Sequence, residues 1–266
     1  MGHASDGDHG HDATTFERGD IVSAWLGGAY DRISGPHADM GTAALDRLEL
    51  EGSERVLDAG CGSGRITERL LERIPWGQAV ALDGSASMLA EAGRRLAHFG
   101  PRVSYVQADL GKPPLPVGGS VDAVLSTAAL HWVLDHDALF EGLAGVLRPG
   151  GQLSVQCGGE GDAAALIEAA RAEGVETAQR FHLAGPAETM RRLEARGFSD
   201  AQAWLEPQTI AFETRQDMVE YIVTPYLRPA TGLPDEDLQC LAGKMVDRLG
   251  VLAIDYVRLN VVARRG

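Results

Sequence analysis

Val56-Leu57-Asp58-Ala59-Gly60-Cys61-Gly62-Ser63-Gly64 joins a short apolar run, Arg55-Val56-Leu57, to a helical pattern from about Arg65 to Arg73. The run is apolar throughout, as suits a strand buried on both faces. Its last residues open into three glycines at alternate positions, where the backbone turns sharply and no Cβ keeps a ligand away. A ligand seated there lies beside a helix N-terminus at the carboxyl end of the sheet, which is where open α/β sheets bind.

Outward from this loop the pattern repeats. Ala79-Val80-Ala81-Leu82, Val103-Ser104-Tyr105-Val106 and Val121-Asp122-Ala123-Val124-Leu125 read as strands, with a helix over Ser85 to Leu96. Asp137 to Leu147 reads as a helix, Pro149-Gly150-Gly151 as a turn and Gln152 to Gln156 as a fifth strand. Strands alternating with such helices predict βαβ units, a parallel sheet and right-handed crossovers. Further on, helices are expected over Ala163 to Ala178 and Ala187 to Arg196, the second closed by Gly197. Two more helices are expected over Gln216 to Tyr221 and Pro234 to Leu249, joined by a stiff connector between Pro225 and Pro229. Ala201 to Leu205 and Tyr256 to Ala263 complete seven strands. Before the glycine loop, Asp20 to Leu48 suggests two short helices broken at Ser34-Gly35-Pro36. The expected fold is α/β: a Rossmann-like, doubly wound, mostly parallel seven-stranded sheet with N-terminal helices and a helical cap. Residues 1–18 read as a flexible tail and 19–266 as one domain. Within it, 40–160 form the cofactor-binding half, 161–250 the cap and 251–266 the closing strand.

The 266 residues are 44% hydrophobic and 23% charged, a globular composition. Lys plus Arg is 24 against 38 Asp plus Glu, a net charge of −14. Such a surface repels a phosphate backbone, so no nucleic-acid partner is expected. No apolar run approaches the roughly 20 residues of a bilayer span, and no membrane partner is expected. Met1 to Asp12 is polar and unlike a secretory signal. Cys61, Cys157 and Cys240 are odd in number and far apart, which argues against a disulfide framework. A soluble, cytoplasmic setting is the expectation. His3, His9 and His11 with Asp6, Asp8 and Asp12 read as a solvated tail, so no metal is expected.

The glycine spacing separates two cofactor classes. A dinucleotide loop spaces its glycines G-x-G-x-x-G, whereas here the order is Asp-x-Gly-x-Gly-x-Gly, and Asp58 would face a pyrophosphate with the wrong sign. The ammonium of an amino-acid group, such as that of S-adenosylmethionine, suits it better. Asp83 ends the second strand 25 residues after Asp58, where an acidic residue holds a ribose diol. With Gln107-Ala108-Asp109-Leu110 and Leu147-Arg148-Pro149-Gly150-Gly151, the chain over roughly residues 40 to 160 resembles the class I S-adenosylmethionine-dependent methyltransferases. The resemblance implies that Asp58, Gly60, Cys61 and Gly62 bind the methionine end of the cofactor. Asp83 and the adjoining Gly84 would meet the ribose, and Met88, Asp109 and Leu110 the adenine. Ser126 or Thr127 would line the passage where the methyl is presented, and S-adenosylhomocysteine would be the product.

Ala129-Leu130-His131-Trp132-Val133-Leu134-Asp135-His136, the segment Thr224-Pro225-Tyr226-Leu227-Arg228-Pro229 and the closing run from Tyr256 to Arg265 are similar to the trans-aconitate methyltransferase group. That likeness implies O-methylation of a small carboxylic acid. A carboxylate is ionised at neutral pH and needs no base, so alignment and water exclusion would carry the rate. A hydroxyl or amine acceptor of a natural product would need its proton removed, and His131 is then the candidate base, the other reading being a pocket-shaping histidine. A non-catalytic cofactor-binding protein is a third possibility, and a nicotinamide oxidoreductase is disfavoured by the loop. An acid entering a chain of this charge needs a local cation. Arg228 is the first candidate, with Arg191, Arg192 and Arg258 as alternatives. Tyr30, His37, Thr127, Trp132, Tyr226 and Tyr256 are candidates to line the acceptor pocket.

Overall fold

Side chains alternate along β1 (Arg55–Ala59), and that alternation sets the sheet between two layers. Val56 and Leu57 are both fully buried but pack into different clusters. The computed structural model describes residues 35–176 and 180–266. Val56 faces the layer of α1 (Gly35–Asp46), α2 (Arg65–Arg73) and α3 (Ala86–Arg95), where Ala44, Leu45, Leu70, Leu71 and Ala92 are wholly buried. Leu57 faces the layer of α4 (His136–Val146) and α6 (Pro186–Ala195), against Leu139, Phe140, Leu143 and Leu193. Each fully buried leucine contributes about 2 kcal/mol of apolar transfer.

The other strands are β2 (Gln78–Asp83), β3 (Val103–Gln107), β4 (Val121–Thr127), β5 (Leu147–Gly158), β6 (Phe198–Ala211) and β7 (Ala253–Arg265). Among the described residues they form one sheet in the order β3-β2-β1-β4-β5-β7-β6. The first five strands are parallel, and β7 runs antiparallel to both β5 and β6. Strand order reverses between β1 and β4, so the crevice outside their carboxyl ends is the ligand end of the sheet. The cap combines α5 (Ala164–Ala172), α7 (Arg215–Ile222), α8 (Arg228–Thr231) and α9 (Asp235–Leu249). Its own core runs from Met218, Tyr221 and Ile222 through Leu238 and Met245 to Ile254 and Tyr256 of β7.

Two local expectations are corrected. Pro149-Gly150-Gly151 does not precede β5 but lies inside it, because the strand starts at Leu147 and the register shifts opposite Val121 and Ala123. The segment between Pro225 and Pro229 is helical, a π turn over Val223–Leu227 leading directly into α8. A proline nitrogen donates no hydrogen bond, and the helix accommodates the gap by widening one turn rather than stopping. Two bounds also move: α5 stops at Ala172, ahead of Gly174 at φ 81°, and β6 is far longer than Ala201 to Leu205. Pro207 is tolerated in β6 because β6 is an edge strand. The tail over residues 1–18, the helix expected before Ser34, and Tyr30 lie outside the described residues. No helix among the described residues is long and apolar enough to cross a membrane.

Candidate active site

Asp58 sits at the end of β1 on the α2 side, completely buried. Its Oδ2 accepts a 2.6 Å bond from Thr67 Oγ1, one turn into α2, while its Oδ1 is buried without a hydrogen-bond partner among the described residues. Burial raises its pKa from the ordinary carboxylate range to about 7, Asp83 adds to the rise, and the Thr67 bond opposes it. An orphaned oxygen on a buried carboxylate is costly unless a donor, best of all a cation, completes it.

The loop after Asp58 is held by backbone bonds and one acidic clamp. Gly60 and Cys61 N–H donate to Leu82 O at 2.8 and 2.9 Å. Asp83, at the end of β2, accepts from Gly62 N–H at 2.9 Å through Oδ2 and from Ser85 N–H at 2.8 Å through Oδ1. Burial raises the Asp83 pKa, and these two bonds lower it in part. Gly60, at φ 84°, admits no side chain: a Cβ there would overlap the Ala129 Cβ. At Gly62 a Cβ would meet nothing within 4 Å, so that turn borders open space. The Cys61 thiol is pushed well above its usual pKa, chiefly by burial, so it is a poor thiolate nucleophile.

The remaining cofactor candidates surround this loop. Gly84 O accepts from Gln107 Nε2 at 3.2 Å, and Met88 and Leu110 are buried. Asp109 Oδ1 accepts from Gly111 N–H at 2.9 Å, and its Oδ2 lies 3.6 Å from Lys112 Nζ. Ser126 is fully buried and donates to Ala59 O at 2.6 Å, tying β4 to the end of β1.

On the acceptor side, Ala128 takes a positive φ of 53° just after β4, turning Ala129 against Gly60 and starting a tight 3₁₀ turn over Leu130–Trp132. His131 Nδ1 accepts from Gly158 N–H at 3.2 Å. A neutral imidazole that accepts through Nδ1 carries its proton on Nε2, so the His131 lone pair is engaged and the ring is poorly placed to act as a base. Phe181 joins it, 5.9 Å from the His131 ring and 4.7 Å from that of Trp132. Thr127 closes β4 beside Gly41 of α1, and His37 lies in the first turn of the same helix, its side chain outside the described atoms.

The cap holds Tyr226 and Tyr256, whose hydroxyls are 2.8 Å apart, with Tyr221 also 2.8 Å from Tyr256. Among the candidate arginines, Arg228 pairs with Asp235 at 2.6 Å, Arg191 is exposed on α6, and Arg192 pairs with Glu188 and Asp137. Arg258 alone is fully buried, on β7 with Asp162 as its partner. The structure thus brings Asp58, Gly60, Cys61, Gly62, Asp83 and Gly84 to the ends of β1 and β2, with Ser126 and Thr127 at the end of β4. Tyr226 and Arg228 belong to the cap, Tyr226 packed against its core and Arg228 opening α8. Thr67, Ala129 and Phe181 join the site without having been singled out in the sequence. A hydroxyl in the first turn of the helix after the loop is the signal for Thr67; Ala129 and Phe181 carry none.

A methyltransferase-domain family profile matches residues 56–151. A trans-aconitate 2-methyltransferase of Acidovorax sp. (strain JS42) is 38% identical over 132 residues, 50% of this chain and 49% of that protein. The chain thus aligns with about half the length of the curated relatives it matches. Among solved structures, the YcgJ protein of Bacillus subtilis superposes with a TM-score of 0.63 at 14% identity, over 86% of this chain and 99% of that one. Phosphoethanolamine N-methyltransferase 2 of Haemonchus contortus does so with a TM-score of 0.63 at 19% identity, over 94% and 60%. These likenesses establish the fold. Residues 56–151 thus match the methyltransferase-domain family, and the seven-stranded Rossmann-like sheet that carries them is the fold of these solved structures.

Proposed function

We propose that this protein transfers a methyl group from S-adenosylmethionine to a carboxylate oxygen of a small organic acid. The observation that carries the cofactor half is Asp58: a buried carboxylate with one oxygen unpaired, at the mouth of a glycine turn. That oxygen would receive the ammonium of the cofactor's methionine end, with the Gly60–Gly62 backbone alongside. Asp83, already clamping Gly62 and Ser85, retains lone pairs for a ribose diol. Met88, Asp109 and Leu110 would border the adenine. When bound, the cofactor supplies an electrophilic methyl on a sulfonium leaving group.

The acceptor half is supported by two observations. Relatives sharing half the chain bear the name trans-aconitate 2-methyltransferase. His131 accepts Gly158 N–H through Nδ1, so the lone pair that a base would need is already engaged, which favours an acceptor that requires no proton removal. An ionised carboxylate requires no such removal, so the chain's tasks reduce to alignment and water exclusion, with Trp132 and Phe181 beside His131 as the apolar wall. The partner would be a small molecule in a soluble, cytoplasmic setting.

The reading is tested by incubating the protein with methyl-labelled S-adenosylmethionine and matched small acids, alcohols and amines. Label in the acids supports it. Label confined to alcohols or amines transfers the assignment to a hydroxyl or amine acceptor and restores His131 as a base. Tight cofactor binding without transfer would leave a non-catalytic binder.

A further inference from the structure

β7 carries a buried guanidinium with one edge paired and the other unpaired. Arg258 is 2% exposed and lies opposite Gly158, the last residue of β5, at the ligand end of the sheet. Its Nη1 donates to Asp162 Oδ2 at 3.3 Å, and its guanidinium carbon is 5.8 Å from the Tyr256 ring centre. Nε and Nη2 are buried with no hydrogen-bond partner among the described residues. Those two nitrogens form the side-on fork that matches the two oxygens of a carboxylate. Buried donors left unmade are rare in folded proteins, and a pair of them on one edge points to a ligand.

Asp162 acts as the positioning residue for this fork. Its Oδ1 accepts from Val257 N–H at 2.8 Å, which fixes it independently of Arg258. Its close approach requires Gly158, where a Cβ would overlap Asp162 Oδ2. The same Gly158 donates its N–H to His131, so the fork and the imidazole meet across one residue. β7 lies two strands from β4, about 10 Å at ordinary strand spacing, a gap that an arginine side chain and an acid of a few carbons span together.

We propose that Arg258 anchors a carboxylate of the acceptor that is not itself methylated, so that the acceptor is a di- or tricarboxylic acid. A carboxylate locked in a bidentate guanidinium pair has its lone pairs drawn away and is a poor nucleophile, which makes it the handle rather than the reacting group. The proposal rests on the carboxyl-methylation reading above and is tested by binding, separately from turnover.

With S-adenosylhomocysteine saturating, the intact protein is titrated calorimetrically with trans-aconitate, itaconate and crotonate, which carry three, two and one carboxyl groups. Arg258→Gln alone would strand Asp162 in the interior, so the variants are Arg258→Gln paired with Asp162→Asn, and Arg258→Lys. The first two acids are expected to lose about 10- to 100-fold in affinity in the paired variant, with a smaller loss in Arg258→Lys. Crotonate and S-adenosylhomocysteine should be unaffected, the latter reporting an intact fold. Should the paired variant not fold, melting of the unmutated protein decides: trans-aconitate raises Tm under the proposal, and crotonate at equal concentration does not. Equal losses for all three acids, unchanged affinity for trans-aconitate, or no binding of any acid to the unmutated protein overturns the anchor. Ester formation without dependence on Arg258 overturns the anchor alone. Arg258-dependent binding with an alkali-stable product overturns the methylation reading alone.

Discussion

Asp58 and Gly60 show what single residues are asked to do at the glycine loop. Burial raises the Asp58 pKa to about 7, so under the proposed reading an ammonium that binds there must first displace a proton when the solution is acidic. The affinity for S-adenosylmethionine should therefore fall about tenfold per pH unit below 7 and level off above it until the cofactor's own amino group loses its proton. Calorimetry across pH 5.5 to 8.5 checks the slope, and Asp58→Asn should remove it while weakening binding by on the order of 100-fold. Gly60→Ala should cost at least about 2 kcal/mol in denaturant unfolding, because its Cβ would overlap that of Ala129 in a backbone region closed to most side chains. Both residues were legible in the sequence, since an acidic residue before alternating glycines has a chemical reason. The unpaired Oδ1 and the Ala129 contact were not, because they depend on which strand comes to lie beside β1.

At the scale of elements, the segment after β4 is the hinge of the account. It links to β5 through His131 and to α6 through His182, whose Nε2 is 2.8 Å from Glu188. His131→Gln should leave cofactor affinity unchanged and lower acceptor turnover, measured by steady-state kinetics on a methylated acid; unchanged turnover would remove His131 from the site. His136, stacked 4.0 Å from His182 and donating through Nε2 to Leu130 O at 3.1 Å, has its pKa depressed to about 4, chiefly by burial and then by His182. A histidine depressed in the fold stabilises it above its unfolded value of about 6.5, and the contribution is lost as pH falls from there to about 4. Relative to His136→Gln, the unmutated protein should lose up to about 3 kcal/mol across that window in urea unfolding. A constant gap would contradict it. The sequence located β1 to β4 and α2 to α4 well because their apolar residues recur at strand or helix spacing and the three helices start at the cap residues Gly64, Ser85 and Asp135. It missed the extent of β6, whose exposed residues 206–209 look like a loop until pairing with β7 accounts for them. It also missed the helical passage through Pro225 and Pro229, which the cap core holds in place through Val223 and Leu227.

For the whole molecule, a net charge of −14 opposes an anionic acceptor, and the fold answers with a few placed cations and donors rather than a basic surface. Added salt should therefore lower KM for an acidic acceptor by screening the long-range repulsion, while the buried contacts are little affected. Kinetics between 0.01 and 0.3 M salt check this, and a rising KM would contradict it. On the proposed reading the two halves of the sheet divide the work: β1 and β2 present Asp58 and Asp83, whereas β4, β5 and β7 present Thr127, Gly158 with His131, and Arg258. The cofactor half was readable because its chemistry is written in one continuous stretch. For the acceptor half the sequence offered Thr127, His131 and Arg258 only as separate candidates, because the pairing of β5 with β7 that brings Arg258 opposite Gly158 joins segments a hundred residues apart. The central claim is methylation of a carboxylate, and the most direct measurement is the fate of the label in the product formed from methyl-labelled S-adenosylmethionine and trans-aconitate. Mild alkali should release it as labelled methanol, as an ester requires; label that stays on the product through alkali would contradict the account.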